Sequence, residues 1–140
     1  MNTDQSSMRN QIKPPGNFAI KDISDATFER DVLKSTKPVF VFFFSKKCSA
    51  CLEMEATLNQ IGIAFCDRIT FVRLNIHNNP AYTSRYMTEA MPCSVVIHKG
   101  EVIRDARIAD GQSVWVGNAA NLQYFINWLN NVLNIAGENW

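Results

Sequence analysis

The chain has almost no surplus of charge: Lys and Arg number 14, Asp and Glu 13, for a formal net charge of +1. So even a balance gives no electrostatic basis for gripping nucleic acid or an anionic membrane. Cysteine is scarce, 4 in 140 residues, too few to staple a disulfide scaffold. No apolar run approaches the roughly 20 residues that a membrane-spanning helix needs. The polar stretch Met1–Asn17 contains Pro14-Pro15-Gly16 and no apolar core of a secretory leader, so it reads as a flexible lead-in and the expected location is cytoplasmic. What is left is one globular domain, 46% hydrophobic and 19% charged, long enough to bury a core unaided. That domain is expected over residues 18–134, with 135–140 as a fraying tail.

Against this plain background one junction stands out. Val39-Phe40-Val41-Phe42-Phe43-Phe44 is an unbroken apolar run, the pattern of a strand buried on both faces. Cys48-Ser49-Ala50-Cys51 follows almost at once. Two cysteines at this spacing on a helix start can bring their sulfurs within bonding reach without moving the fold. The unpaired N–H groups of a first helical turn favour negative charge, and Lys46 and Lys47 act in the same sense. The expected chemistry is therefore dithiol–disulfide exchange, with Cys48 the nucleophilic thiolate and Cys51 the resolving thiol.

The rest of the chain supplies a scaffold. Phe18-Ala19-Ile20 is a short strand candidate, and Ser24-Asp25 can cap a helix bearing Phe28, Val32 and Leu33. After the cysteines, Leu52, Met54, Ala56, Leu58, Ile61 and Ile63 predict a helix ending near Gly62. Strands are expected at Ile69–Ile76, Ser94–His98, Glu101–Ile103 and Ser113–Val116, with turns at Lys99-Gly100 and Asp110-Gly111. Asn78-Asn79-Pro80 opens a short helix through Tyr82, Tyr86 and Met87, and Asn121–Leu133 forms an amphipathic one. Alternating strands and helices followed by a hairpin predict an α/β fold, a central mixed sheet flanked by helices on both faces.

Several separated segments share a further pattern. They are Ser24-Asp25-Ala26-Thr27-Phe28, the strand Val39–Phe44 with Cys48-Ser49-Ala50-Cys51, Val72–Ile76 leading into Asn79-Pro80, and Met91-Pro92 before Ser94–Ile97 and Lys99–Val102. In these, from about Phe18 to Leu133, the chain resembles the thioredoxin family. The resemblance implies a thioredoxin fold, no bound cofactor beyond a redox-active Cys48–Cys51 disulfide, and protein disulfide or dithiol substrates with a redox-recycling partner. It also implies that Pro92 is cis and that Met91 offers backbone hydrogen bonds to an extended substrate. A monomer that reduces its substrates is expected. Some positions depart from the family pattern: Lys47 replaces a tryptophan, Ser49-Ala50 a Gly-Pro pair, and Ala56 a helix-kinking proline. Phe42 stands where a buried aspartate is usual, and Arg73 keeps a cation where lysine is common. Glu101–Gly117 is longer than the family norm, implying an extended hairpin.

The remaining candidates have plainer explanations. Cys66 is expected to be a small buried hydrophobe, and Cys93 a packed thiol, although its place beside Pro92 would let it trap the redox pair. A four-cysteine metal site is disfavoured because only one chelating pair exists, and His77 and His98 are not spaced to join it. Glu53 could assist proton movement, but a solvated helix face is the preferred reading. The competing function is a redox-weak module of the same fold that binds or chaperones a partner.

Overall fold

The computed structural model describes residues 20–86, 93–103, 115–116 and 122–138. Six strands form one sheet: β1 (Lys21–Ile23), β2 (Val39–Phe44), β3 (Thr70–Asn75), β4 (Cys93–His98), β5 (Glu101–Val102) and β6 (Trp115–Val116). Along the main path the order is β1-β3-β2-β4-β5, and β6 also pairs with β4. β1, β3 and β2 run parallel, while β4 is antiparallel to β2 and to both short strands beyond it. The helical elements are α1 (Glu29–Leu33, one wide turn), α2 (Ser49–Phe65), α3 (Pro80–Tyr86) and α4 (Leu122–Glu138).

The fully apolar β2 occupies the centre because both of its faces must be covered. Phe40, Phe42 and Phe44 point into one apolar cluster with Met54, Leu58 and Ile61 of α2 and Phe125, Trp128 and Leu129 of α4. Val39, Val41 and Phe43 point into the other, with Phe28, Val32 and the half-buried Tyr82 and Tyr86 of α3. The period-two alternation of a strand thus sorts adjacent residues onto opposite sides. The helices cover both faces, as the α/β reading expects. The Trp128 ring stands edge-on to Phe40 at 6.3 Å, a geometry its quadrupole favours, and Phe28 stacks on Tyr82 with centroids 3.9 Å apart.

Several details sharpen or correct the sequence reading. The first described strand is Lys21–Ile23, its parallel register setting Ile23 against Leu74, while Phe18 and Ala19 of the expected strand lie outside the described residues. Ile20 is buried just before it, in the first cluster. Gly62 does not stop α2; it is buried within the helix, which continues to Phe65. At that end the Lys37 ammonium donates to the Cys66 carbonyl (3.1 Å), satisfying one of the carbonyls a helix terminus leaves open. Leu52 and Ile63 of this helix face outward, and Leu52 is 62% exposed. Finally, α4 runs on to Glu138, carrying Ala136 into the core beyond the expected end at Leu133.

Asp25 does not cap α1. Its carboxylate accepts from the Ala81 and Tyr82 amides (2.9 and 3.1 Å), capping α3 from far along the chain. Asn79 completes the joint by accepting from the Asp25 amide (2.8 Å). A helix as short as α3 has little stability of its own, so this long-range cap is what ties it to the domain. The turn after β4 is as expected: Lys99 and Gly100 both have positive φ (56° and 82°), the pairing that a tight hairpin demands. The expected Asp110-Gly111 turn and most of the long hairpin lie outside the described residues, as do Met1–Asn17 and Met87.

Candidate active site

The site is built where β2 ends. Ser45 follows Phe44, and the chain turns so that the Cys48 amide donates to the Ser45 carbonyl (3.1 Å). Cys48 has extended backbone angles (φ −103°, ψ 109°) and serves as the N-cap of α2. Its sulfur accepts the Cys51 N–H at 3.1 Å, and its carbonyl accepts from Cys51 and Leu52. A cysteine here takes the place usually held by Ser, Thr, Asp or Asn, so the Cys51 amide of the first turn points at a sulfur. Lys46 and Lys47 are exposed immediately upstream, Ser49 is exposed and Ala50 half-buried.

The two thiols have unlike surroundings. Cys48 is half-exposed, whereas Cys51 is 2% exposed within the first apolar cluster, which also contains Phe42. Burial pushes the Cys51 thiol up to about 12, helped by its contact with the Cys48 sulfur and by the charge of Glu55, and opposed by a hydrogen bond from the Ser45 backbone. The arrangement therefore presents one sulfur to solvent and keeps its partner protonated behind it. Both are free thiols in this structure.

Of the other sequence candidates, Arg73 is part of the neighbourhood and is no simple exposed strand charge. It is 26% exposed, donates Nη1 to Glu55 Oε2 at 2.6 Å, binds both Asp22 carboxylate oxygens and lies 5.0 Å over the Phe44 ring. Asp22 above all, opposed by burial and reinforced by Glu55, holds the guanidinium above its usual range. Glu53 is exposed. Glu55 is the acid of α2 that faces the site, one turn beyond Cys51. Glu53 lies on a solvated helix face, as the sequence reading preferred; Glu55 was missed, yet the signal was available: positions i and i+4 share a helix face, and i+2 does not.

A second missed feature is Ser45. Its hydroxyl lies 2.9 Å from His77 Nε2 and accepts from the Lys47 amide (3.2 Å), so the loop into α2 is fastened to the end of β3. His77 is itself held by a bond from its amide to Asn75 Oδ1 (3.0 Å). Nothing in the local sequence marks this pair, which the parallel β2–β3 register brings together.

Cys93 is fully buried and belongs to the second apolar cluster, on the sheet face opposite Cys51. A side chain packed there is not directed at the redox pair. Cys66 is not the buried hydrophobe expected: it is half-exposed beyond the C-terminal end of α2, with its thiol directed at the Ile63 carbonyl. Met91 and Pro92 lie outside the described residues; Cys93, the next residue, pairs with Phe43. Among the described residues no cluster of His, Cys, Asp and Glu has the grouping a metal ion requires. No helix among them is long and apolar enough to cross a membrane.

Comparison with known proteins agrees with this architecture. The thioredoxin family model matches residues 19–115, more than half of the chain. The thioredoxin of Streptomyces clavuligerus is 39% identical over 85 residues, covering 61% of this chain and 78% of that protein. The thioredoxin of Rhodospirillum rubrum is 34% identical over 83 residues, covering 59% of this chain and 80% of its own length. That of Acidithiobacillus ferridurans is 34% identical over 84 residues, 60% of this chain and 78% of the relative. A strand buried on both faces, a helix capped by the first of two cysteines and a match across most of the domain lead to one conclusion. The chain belongs to the thioredoxin family, thiol–disulfide oxidoreductases that need no cofactor because the redox-active disulfide is part of the protein.

Proposed function

We propose that the chain exchanges thiols and disulfides with protein substrates through Cys48 and Cys51, working as a reductase. Cys48 attacks a substrate disulfide: a bond forms between Cys48 and one substrate sulfur, and the other leaves with the electron pair. Cys51 then loses its proton and attacks Cys48, closing the Cys48–Cys51 disulfide and expelling the second substrate thiolate. Two electrons have passed to the substrate, and a recycling reductase partner must return them.

The observation that carries this reading is the bond from the Cys51 amide to the Cys48 sulfur (3.1 Å), with Cys48 half-exposed and Cys51 buried. It supports distinct roles for two otherwise identical side chains. Met91 and Pro92 are proposed to shape the substrate groove, with Lys46, Lys47, Ser49, Ala50 and Arg73 tuning the pair. A cytoplasmic setting completes the proposal and fits the reducing direction.

The test is reduction of insulin driven by dithiothreitol, comparing the chain with Cys48→Ser. Loss of the catalysed rate in the variant is the expected result. Equal rates in both would leave the competing reading, a partner-binding module of the same fold. The direction is decided by the potential of the pair against glutathione: a reductase lies well below the roughly −220 to −320 mV glutathione poise of the cytosol or near its lower end.

A further inference from the structure

Closing the internal disulfide requires Cys51 to give up a proton that its surroundings hold tightly. Phe42 offers no acceptor, since it is an apolar ring in the same cluster as Cys51. His77 has its Nε2 engaged with Ser45, and Asp22 is engaged with Arg73. Glu53 is exposed on a different side of α2. Glu55 remains. It stands one helical turn from Cys51, a spacing that brings side chains together. It is only 27% exposed, and Arg73 holds one of its oxygens, Oε2, at 2.6 Å.

We propose that Glu55 is the carboxylate that takes the proton from Cys51 in the resolving step, with Arg73 as the residue that positions it. Arg73 is suited to this because its own place is over-determined by Asp22 on β1, by the Phe44 ring on β2 and by Glu55 on α2. With Oε2 held by the guanidinium, Oε1 is the oxygen left to receive the proton. The charged groups bearing on Cys51 are the Cys48 sulfur and Glu55, with Arg73 and, behind it, Asp22 bearing on Glu55. The Glu55 charge that holds the proton on the resting thiol is thus also a seat for it. The step balances: the Cys51 S–H bond breaks, the proton moves to Glu55, the Cys51–Cys48 bond forms, and the Cys48–substrate bond breaks with its electron pair leaving on the substrate sulfur. Glu55 then returns its proton to solvent or to the departing thiolate.

This inference rests on the exchange reading above, and one experiment separates the two. The full chain in a Cys66→Ser background is mixed with dithiobis(nitrobenzoate), which releases one coloured thiolate on attack by Cys48 and a second on resolution by Cys51. Glu55→Gln is expected to leave the first release unchanged and to slow the second on the order of 100-fold at neutral pH, the scale of a lost general base. The deficit should shrink as pH rises and hydroxide takes over. Glu53→Gln is expected to match the parent at every pH. If Glu55→Gln does not fold, Glu55→Asp gives the same reading, with a slowed second release because the carboxylate is set back by one methylene. A second release in Glu55→Gln as fast as the parent's, or faster as removal of a negative charge alone would make it, overturns the proposal. No second release from the parent chain would instead bring down the exchange reading itself.

Discussion

Cys51 and Cys93 are both all but absent from the surface, yet their surroundings suit them to opposite fates. Cys93 opens β4 and packs among Ile23, Phe28, Val95 and other apolar side chains on one face of the sheet. Cys51 lies in the first turn of α2 on the other face, with the Cys48 sulfur against its amide and Glu55 one turn away. Burial is common to both, so burial does not make a thiol reactive. What does is a second sulfur within reach and a route for the proton.

The comparison can be broken most directly at the first sulfur. Cys48→Ser should reduce catalysed disulfide reduction to the buffer background, whereas Cys93→Ala should keep the activity and lose about 1 kcal/mol of stability in denaturant unfolding. Activity that depends equally on both thiols would erase the distinction. A slightly smaller effect is expected beneath the site: Phe42→Ala should cost about 3–5 kcal/mol, because it opens a cavity at the centre of a strand covered on both faces. Urea unfolding of the reduced protein reads this directly.

The two thiols should also separate in alkali. Burial raises the Cys51 thiol to about 12, above the roughly 8.5 of a free cysteine. A group whose folded value is raised contributes stability below its unfolded value and loses it as pH climbs through the folded one. The reduced protein should therefore lose stability between about pH 8.5 and 12. Cys51→Ala should lack that component, and a pH series of thermal unfolding on the two forms checks it. The smallest effect is expected far from the cysteines. Asp25→Ala should cost roughly 0.5–2 kcal/mol through the lost cap of α3 and should leave the exchange rate unchanged. Hydrogen exchange at the Ala81 and Tyr82 amides would report it.

These contrasts follow the line between what the amino-acid order discloses and what it conceals. β2 was legible because every residue in it is apolar, so neither register nor facing could confuse its assignment. The redox pair was legible because its chemistry and its helix-start geometry are local. Gly62 misled because a glycine near the end of an apolar pattern looks like a stop, while here it is buried inside a helix. Lys21–Ile23 was missed because its two leading residues are polar, whereas pairing with β3 makes it a strand. Asp25 capping α3, His77 meeting Ser45 and Arg73 joining Asp22 to Glu55 are all long-range contacts. They exist only once β1, β3 and β2 lie side by side. Choosing Glu55 over Glu53 needed only the phase of the helix relative to Cys51.

The central claim is that Cys48 and Cys51 form and break one bond while the other cysteines stand aside. Equilibration of the intact chain in graded glutathione buffers, followed by acid quenching and mass mapping of linked peptides, tests it most directly. The account predicts a single reversible Cys48–Cys51 bridge, with Cys93 unlinked at every ratio. A chain that never forms that bridge, or forms one to Cys93 in its place, would contradict it.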